Sequence, residues 1–158
     1  MDLGIMEDKV KKMEIVQKVV RKEMFDKTVE ILKKYDKIAV VGMSANQSKP
    51  SHNVPEYMDS SGYTIYPVNP KADEIGGKKV YRNLLDIEEE VEVVNVFRPS
   101  NEAIQVVRDI IQRNKNKGDV KAVWLQLGIF SNEAKELAEQ NGLEFVDNKC
   151  IMVEHRKV

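Results

Sequence analysis

The chain reads as an α/β protein: a doubly wound, mainly parallel sheet of about five strands, with helices on both faces and a helical extension at its N-terminus. Three observations predict this. Short β-branched runs alternate with segments of helical period from Lys37 onward. Those runs are predominantly apolar, as strands covered on both faces are. The first of them ends in a glycine, Gly42, that opens a polar loop leading into a helix.

From about Met6 to Tyr35 there is no glycine or proline, and Val10, Met13, Val16, Val20, Met24, Val29, Ile31 and Leu32 recur at roughly helical spacing among charges. The spacing predicts one long helix or two broken ones, so residues 1–35 form the extension and residues 36–158 the domain. A helix this charged is stabilised mainly by packing its apolar stripe on another surface, and the part before about Gln17 is read as a tail or an oligomer contact.

Lys37-Ile-Ala-Val-Val-Gly42 is the first strand and its turn. A helix follows from about Ser51 to Ser61, with Ser51 expected as its N-cap and Pro55 near enough to its start to be tolerated. Tyr63 to Pro67 is the second strand, leaving through Val68-Asn69-Pro70. Further strands are expected at Val91 to Phe97, Val120 to Leu127 and Leu143 to Val146, separated by helices at Ser100 to Arg113 and Ser131 to Asn141. Only the short Lys79-Val-Tyr81 stands where a helix would join the second and third strands. Right-handed crossovers turn this order into a Rossmann-like sheet.

A chain of 158 residues, 42% of them hydrophobic, suffices for one core. Its 25 basic and 26 acidic residues leave a net charge of -1, so no global basic field attracts nucleic acid or an anionic membrane. The single cysteine, Cys150, forms no internal disulfide, and no Cys/His cluster has zinc spacing. Early charges at Asp2, Glu7, Asp8, Lys9, Lys11 and Lys12 interrupt any signal-peptide core. No later run is long enough to span a bilayer, and the expected location is cytoplasmic.

Ligands of open α/β sheets bind beyond the carboxyl ends of the strands, where chain order reverses, so each strand exit is a candidate. The first, Gly42 to Ser51, suits a phosphate: backbone N–H groups and a helix N-terminus supply donors, Ser44, Ser48 and Ser51 supply hydroxyls, and Lys49 supplies charge. An ordinary capped loop is the plainer reading. Ser44 and Gln47 stand where a dinucleotide fingerprint has its second and third glycines. The second exit offers Asn69-Pro70-Lys71 in place of the acidic residue that holds a ribose in NAD sites. Lys71 can instead approach a ribose phosphate or remain solvated.

Six blocks in order carry a resemblance: Val40-Val-Gly42-x-Ser44, Lys49-Pro50-Ser51, Pro67-Val-Asn-Pro70, Val96-Phe-Arg-Pro99, Val123-Trp-Leu-Gln-Leu-Gly128 and Cys150-Ile-Met-Val-Glu-His155. From about Lys37 to Arg156 the chain resembles the family of small, stand-alone CoA-binding proteins of the YccU-like type. The resemblance implies a Rossmann-like domain akin to the CoA-binding domain of acyl-CoA synthetases and succinyl-CoA synthetase, without their catalytic domains and with no settled reaction. Lys49 stands where many members carry arginine, which keeps the charge and loses bidentate geometry.

On this reading coenzyme A is the expected ligand. Gly42, Ser44, Lys49 and Ser51, with Pro50 between them, would hold its pyrophosphate, and Asn69 and Pro70 would border the adenosine. Phe97 can offer a face to adenine and Arg98 can pair with phosphate or stack, unless the first is core and the second a helix-cap partner. Gln126 and Gly128 can meet the amide-rich pantetheine arm, whereas Trp124 reads as core.

Cys150, after the last strand, reads as packing, or as a thiol facing that of CoA. His52 can reach a phosphate, while His155 beside Glu154 reads as a tail or partner contact. No Ser/His/Asp set, carboxylate pair or metal cluster assembles, so the expectation is a non-catalytic binding or regulatory module. An NAD(P)-dependent oxidoreductase and a scaffold subunit of an acyl-CoA ligase are the alternatives, and a protein partner or homo-oligomer is the expected assembly.

Overall fold

An extended backbone covered on both faces has only neighbouring strands to take its N–H and C=O groups, so the apolar runs of this chain pair with one another. The structure, a computed structural model, describes residues 3–158. In chain order its elements are α1 (Leu3–Lys34), β1 (Lys37–Val41), α2 (Pro50–Ser60), β2 (Thr64–Val68), β3 (Glu74–Ile75), β4 (Lys78–Lys79), β5 (Val93–Val96), α3 (Ala103–Asn116), β6 (Ala122–Leu125), α4 (Asn132–Gln140), β7 (Glu144–Val146) and α5 (Ile151–His155). Five strands form one sheet in the order β2-β1-β5-β6-β7, every neighbouring pair parallel. The chain leaves β1 toward β2 on one side and returns to β5 on the other, which sets the switch point over the ends of β1 and β5.

Alternation of side chains divides the core into two layers. Ile38, Val40, Val93, Ala122, Trp124 and Val146 face one side, where Ile31 and Leu32 of α1, Val54 and Met58 of α2 and Ile151 of α5 cover them. Ala39, Val94, Val96, Val123, Leu125 and Phe145 face the other, under Val106, Val107 and Ile110 of α3 and Ala134 and Ala138 of α4. In α3 the buried Ala103, Val106, Val107 and Ile110 fall three and four apart, the spacing that forms one stripe. Ser131 caps α4 by accepting from the Ala134 N–H at 3.1 Å. Thus the doubly wound sheet, its five strands and its two helical layers appear as the sequence implies.

The differences lie between elements. α1 is one unbroken helix of 32 residues, yet only Thr28, Ile31 and Leu32 of it are buried. α2 begins at Pro50 with extended Lys49 as its N-cap, so Ser51 lies inside the first turn and does not cap it. Between β2 and β5 stand the hairpin β3/β4 and a turn of 3-10 helix at Leu84–Asp86. Gly76 and Gly77, both at positive φ, make the two-residue hairpin turn. Tyr81 then pairs alongside Val68, its N–H donating to Pro67 at 2.9 Å while its carbonyl accepts from Asn69.

Arg113, buried at the end of α3, holds this helix-less connection in place. Its guanidinium donates to the carbonyls of Leu84, Ile87 and Glu89 at 2.7–2.8 Å and to both carboxylate oxygens of Asp119 at 2.9 and 3.1 Å. Burial tends to raise the Asp119 pKa, but the hydrogen bonds from Arg113 and from the Val91 N–H outweigh it and hold the carboxyl below its ordinary value.

Candidate functional site

At the switch point the backbone of one strand exit touches the side chain of the next. Gly42 has φ +88°, and a Cβ there would lie 2.8 Å from Arg98 Cδ and 2.9 Å from the Phe97 carbonyl oxygen. Only glycine permits this approach, which lets the exits of β1 and β5 lie against each other. Arg98 pairs with Glu102 one turn on, at 2.9 Å, and is itself exposed.

The loop from Gly42 to α2 is held by its own groups. Met43 is fully buried and anchors it. Pro55 has no N–H to give the Ser51 carbonyl one helical turn back, and that carbonyl accepts instead from the Ser44 N–H at 3.1 Å. The Ser44 carbonyl lies 2.7 Å from His52 Nδ1, so this nitrogen carries the proton, since a carbonyl only accepts. Ser44 Oγ accepts from the Asn46 N–H, and Asn46 Oδ1 accepts from both the N–H and the hydroxyl of Ser48. The loop's shape is therefore fixed by hydrogen bonds within the chain.

Asn69 acts on the same loop from β2: its Nδ2 donates to the Met43 carbonyl at 2.9 Å, and its Oδ1 accepts from the N–H groups of Lys71 and Ala72. Pro70 and Lys71 are exposed beside it. Among the described residues, neither Lys49 nor Lys71 enters an ion pair.

A cavity of about 540 Å³ opens next to this loop, over the strand ends on the α2 and α5 side. Lys49, Pro50, Ser51 and Val54 form its first wall, Phe97 its second, Gln126, Leu127 and Ile129 its third, and Cys150, Met152 and Val153 its fourth. Four strand exits or helix starts thus converge on a space of the size that takes small-molecule ligands. Leu127, 71% exposed, and Val153, 42% exposed, leave an apolar rim.

Of the residues expected from sequence, Lys49, Pro50, Ser51, Phe97 and Gln126 line this cavity. Gln126 does so with its amide engaged: Nε2 donates to Asn95 Oδ1 at 2.8 Å inside the sheet, and Oε1 accepts from the Ile151 N–H at 3.4 Å. It positions α5 as well as forming wall. Gly42, Ser44 and Arg98 stand at the switch point, and Asn69, Pro70 and Lys71 form the turn next to it. Gly128 is at positive φ and gives its N–H to Asn148 Oδ1 at 2.8 Å. Trp124 is fully buried, its indole N–H donating to the Lys149 carbonyl at 2.8 Å and fixing the segment that carries Cys150.

His155 lies away from this cavity, between Tyr57, whose hydroxyl is 2.8 Å from its Nδ1, and the edge of Tyr63. Tyr63 donates to the Leu32 carbonyl at 2.6 Å, and burial raises its pKa. That aromatic cluster joins α1, α2 and α5. The apolar lining from Val54, Leu127, Ile129, Met152 and Val153 was not foreseen; Leu127, an apolar residue left outside by the end of a buried strand, was the available signal. Among the described residues no group of three or more His, Cys, Asp or Glu can hold a metal ion, and no helix is long and apolar enough to cross a membrane.

A family model described as CoA binding domain matches residues 36–156. The protein YneT of Bacillus subtilis is 35% identical over 126 residues, covering 80% of this chain and 90% of that one. The ADP-forming acetate–CoA ligase II of Archaeoglobus fulgidus is 34% identical over 123 residues, 75% of this chain but 18% of the ligase, so this chain spans less than a fifth of that relative. Among solved structures, a protein from Pyrococcus horikoshii superposes with TM-score 0.78 at 36% identity, over 84% of this chain and 90% of that one. One from Thermus thermophilus gives TM-score 0.76 at 31% identity, over 84% and 97%. The family match spans the loop, the switch point and all four walls of the cavity, and the chain belongs to the CoA-binding-domain family.

Proposed function

We propose that the chain binds coenzyme A or an acyl-CoA as a binding or regulatory module, with the phosphates on the Gly42–Ser51 loop and the pantetheine arm in the adjoining cavity. One observation carries this reading: a loop held by its own hydrogen bonds, with Lys49 outside any ion pair among the described residues, runs directly into a largely apolar cavity that is also lined by the only thiol of the chain, Cys150. The residues present fit the chemistry of such a ligand. Lys49, Lys71 and Arg98 supply cationic groups at the surface, the glycine at 42 keeps a backbone path that a Cβ would fill, and Phe97 supplies an aromatic face. Ser44 and Ser51 border the pyrophosphate, Asn69 and Pro70 the adenosine, and Gln126 and Gly128 the amide-bearing arm.

Among the described residues, no nucleophile–base pair or metal cluster in the cavity supports a reaction carried out by this chain alone. The likeness to ADP-forming acetate–CoA ligases favours a second reading, in which the module serves a separate catalytic chain. Co-purification with a ligase chain supports that reading, and a change of partner affinity on CoA binding without a ligase supports the first.

Calorimetric titration with CoA, acetyl-CoA, dephospho-CoA, NAD and NADP tests the binding itself. CoA or acetyl-CoA is expected to bind, dephospho-CoA more weakly, and the dinucleotides not at all. Arg98→Ala should weaken binding by about 1.5–3 kcal/mol if the guanidinium meets a phosphate. Failure of CoA to bind at millimolar concentration overturns the reading, and an unchanged affinity in Arg98→Ala removes that residue from the site.

A further inference from the structure

The long helix α1 leaves its domain behind. Every residue from Leu3 to Glu23 is exposed, a segment roughly 30 Å long at about 1.5 Å per residue. Such a helix needs a surface to pack on, because nucleation and exposure of apolar groups leave a lone helix marginal in water. Six of its apolar residues form a seam, while Ile5, Ile15, Val19 and Phe25 lie off it. Leu3, Met6, Val10, Met13, Val20 and Met24 alternate at spacings of three and four, with Gln17 filling the one remaining place, which is a seven-residue repeat sustained over three turns of seven. Leu3, Met6, Val10, Met13 and Val20 are each more than half exposed.

We propose that this seam pairs with the same seam of a second copy of the chain in an antiparallel two-helix coiled coil. Its direction follows from where the stripe goes next. The seam continues through Lys27 and Ile31, and there it is already covered by the chain's own domain: Ile31 is 3% exposed in the core, and Lys27 Nζ donates to the Phe145 carbonyl at 3.2 Å. A parallel partner would have to run its own residues 24–34 along that occupied face. An antiparallel partner starts at the edge of the domain and runs away from it.

The charges agree with that direction. With Val10 opposite Val20 of the second copy, and Met13 opposite Gln17, the flanking positions bring Glu7 beside Arg21 and Lys9 beside Glu23, each twice by symmetry. Val16 then meets Val16, and among the described residues the facing Glu14 carboxylates are the one like-charge contact. A parallel pair in register offers only Lys9 to Glu14.

Light scattering on the full chain at tens of micromolar should give twice the 18.1 kDa chain mass. Met13→Glu should give a monomer that keeps the domain's unfolding transition, since every described residue before Met24 is exposed. In a Cys150→Ser background, Val10→Cys with Val20→Cys should crosslink two chains on mild oxidation, while Val10→Cys alone should not. Lys9→Glu should weaken the dimer, and adding Glu23→Lys should restore it. A monomeric full chain, or crosslinking by Val10→Cys alone as efficient as by the pair, overturns the proposal.

Discussion

Gly42 is a position where a single carbon decides the site. Left-handed backbone costs a residue with a Cβ roughly 1–2 kcal/mol, and at φ +88° the new atom would also press on the Phe97 carbonyl, which cannot rotate away as a side chain does. Gly42→Ala should therefore lower stability by about 2 kcal/mol or more in urea unfolding and weaken CoA binding in the same preparation; a wild-type midpoint would mean the two strand exits separate freely. Cys150 tests the other end of the cavity. Its thiolate is expected to attack oxidised CoA, forming a protein–CoA disulfide and releasing the second CoA as thiolate, and mass spectrometry should record one reducible adduct per chain. No adduct would mean the thiol does not meet that of the ligand. At this scale the sequence was a partial guide. Gly42 at the switch point and Lys49 and Phe97 on the cavity wall were marked by type and position, whereas Asn69 turns inward to the carbonyl of Met43, 26 residues away, and His52 to that of Ser44. Such contacts depend on which way a side chain turns, and no spacing encodes that.

Elements were legible where their period was long enough. The strands around Val40, Val94 and Trp124 and the stripe of α3 stand out because burial on two faces, or on one stripe, leaves a repeating pattern. α5 spans five residues, Ile151–His155, less than two helical turns, so its period is invisible although it supplies one wall of the cavity. The connection from β2 to β5 was equally opaque, because it is organised by a side chain from a later helix, Arg113. That arrangement makes a pH prediction. The Asp119 carboxyl is held below its ordinary value, so the folded chain carries fewer protons there than the unfolded one as pH falls. Its contribution is complete above the unfolded pKa of about 3.9 and is lost as pH drops through the folded value. Asp119→Asn should cost roughly 3 kcal/mol at pH 7, where the buried guanidinium loses its counter-charge, and the deficit should shrink toward pH 2–3. Urea unfolding at both pH values measures it, and a deficit that does not vary with pH would sink the assignment.

At the scale of the whole molecule, the domain and the projecting part of α1 are energetically separate, because only the last turns of that helix enter the core. Deleting residues 1–23 should leave the domain's denaturant midpoint unchanged at low protein concentration while abolishing any dependence of melting temperature on concentration. A lowered midpoint would mean those residues stabilise the domain directly. The sequence separated these two parts by composition, since Gly and Pro are missing from about Met6 to Tyr35, but the face along which the helix meets the sheet emerges only once the strands are paired. The lone indole gives this molecule an optical consequence. Trp124 is the sole tryptophan, fully shielded in β6, with its N–H bonded to the backbone next to Cys150. Its native emission should therefore sit at short wavelength and resist quenching by iodide. A shift to the red reports collapse of the sheet, whereas a change of intensity without a shift reports a guest settling beside the last helix, so one fluorophore reads folding and occupancy separately.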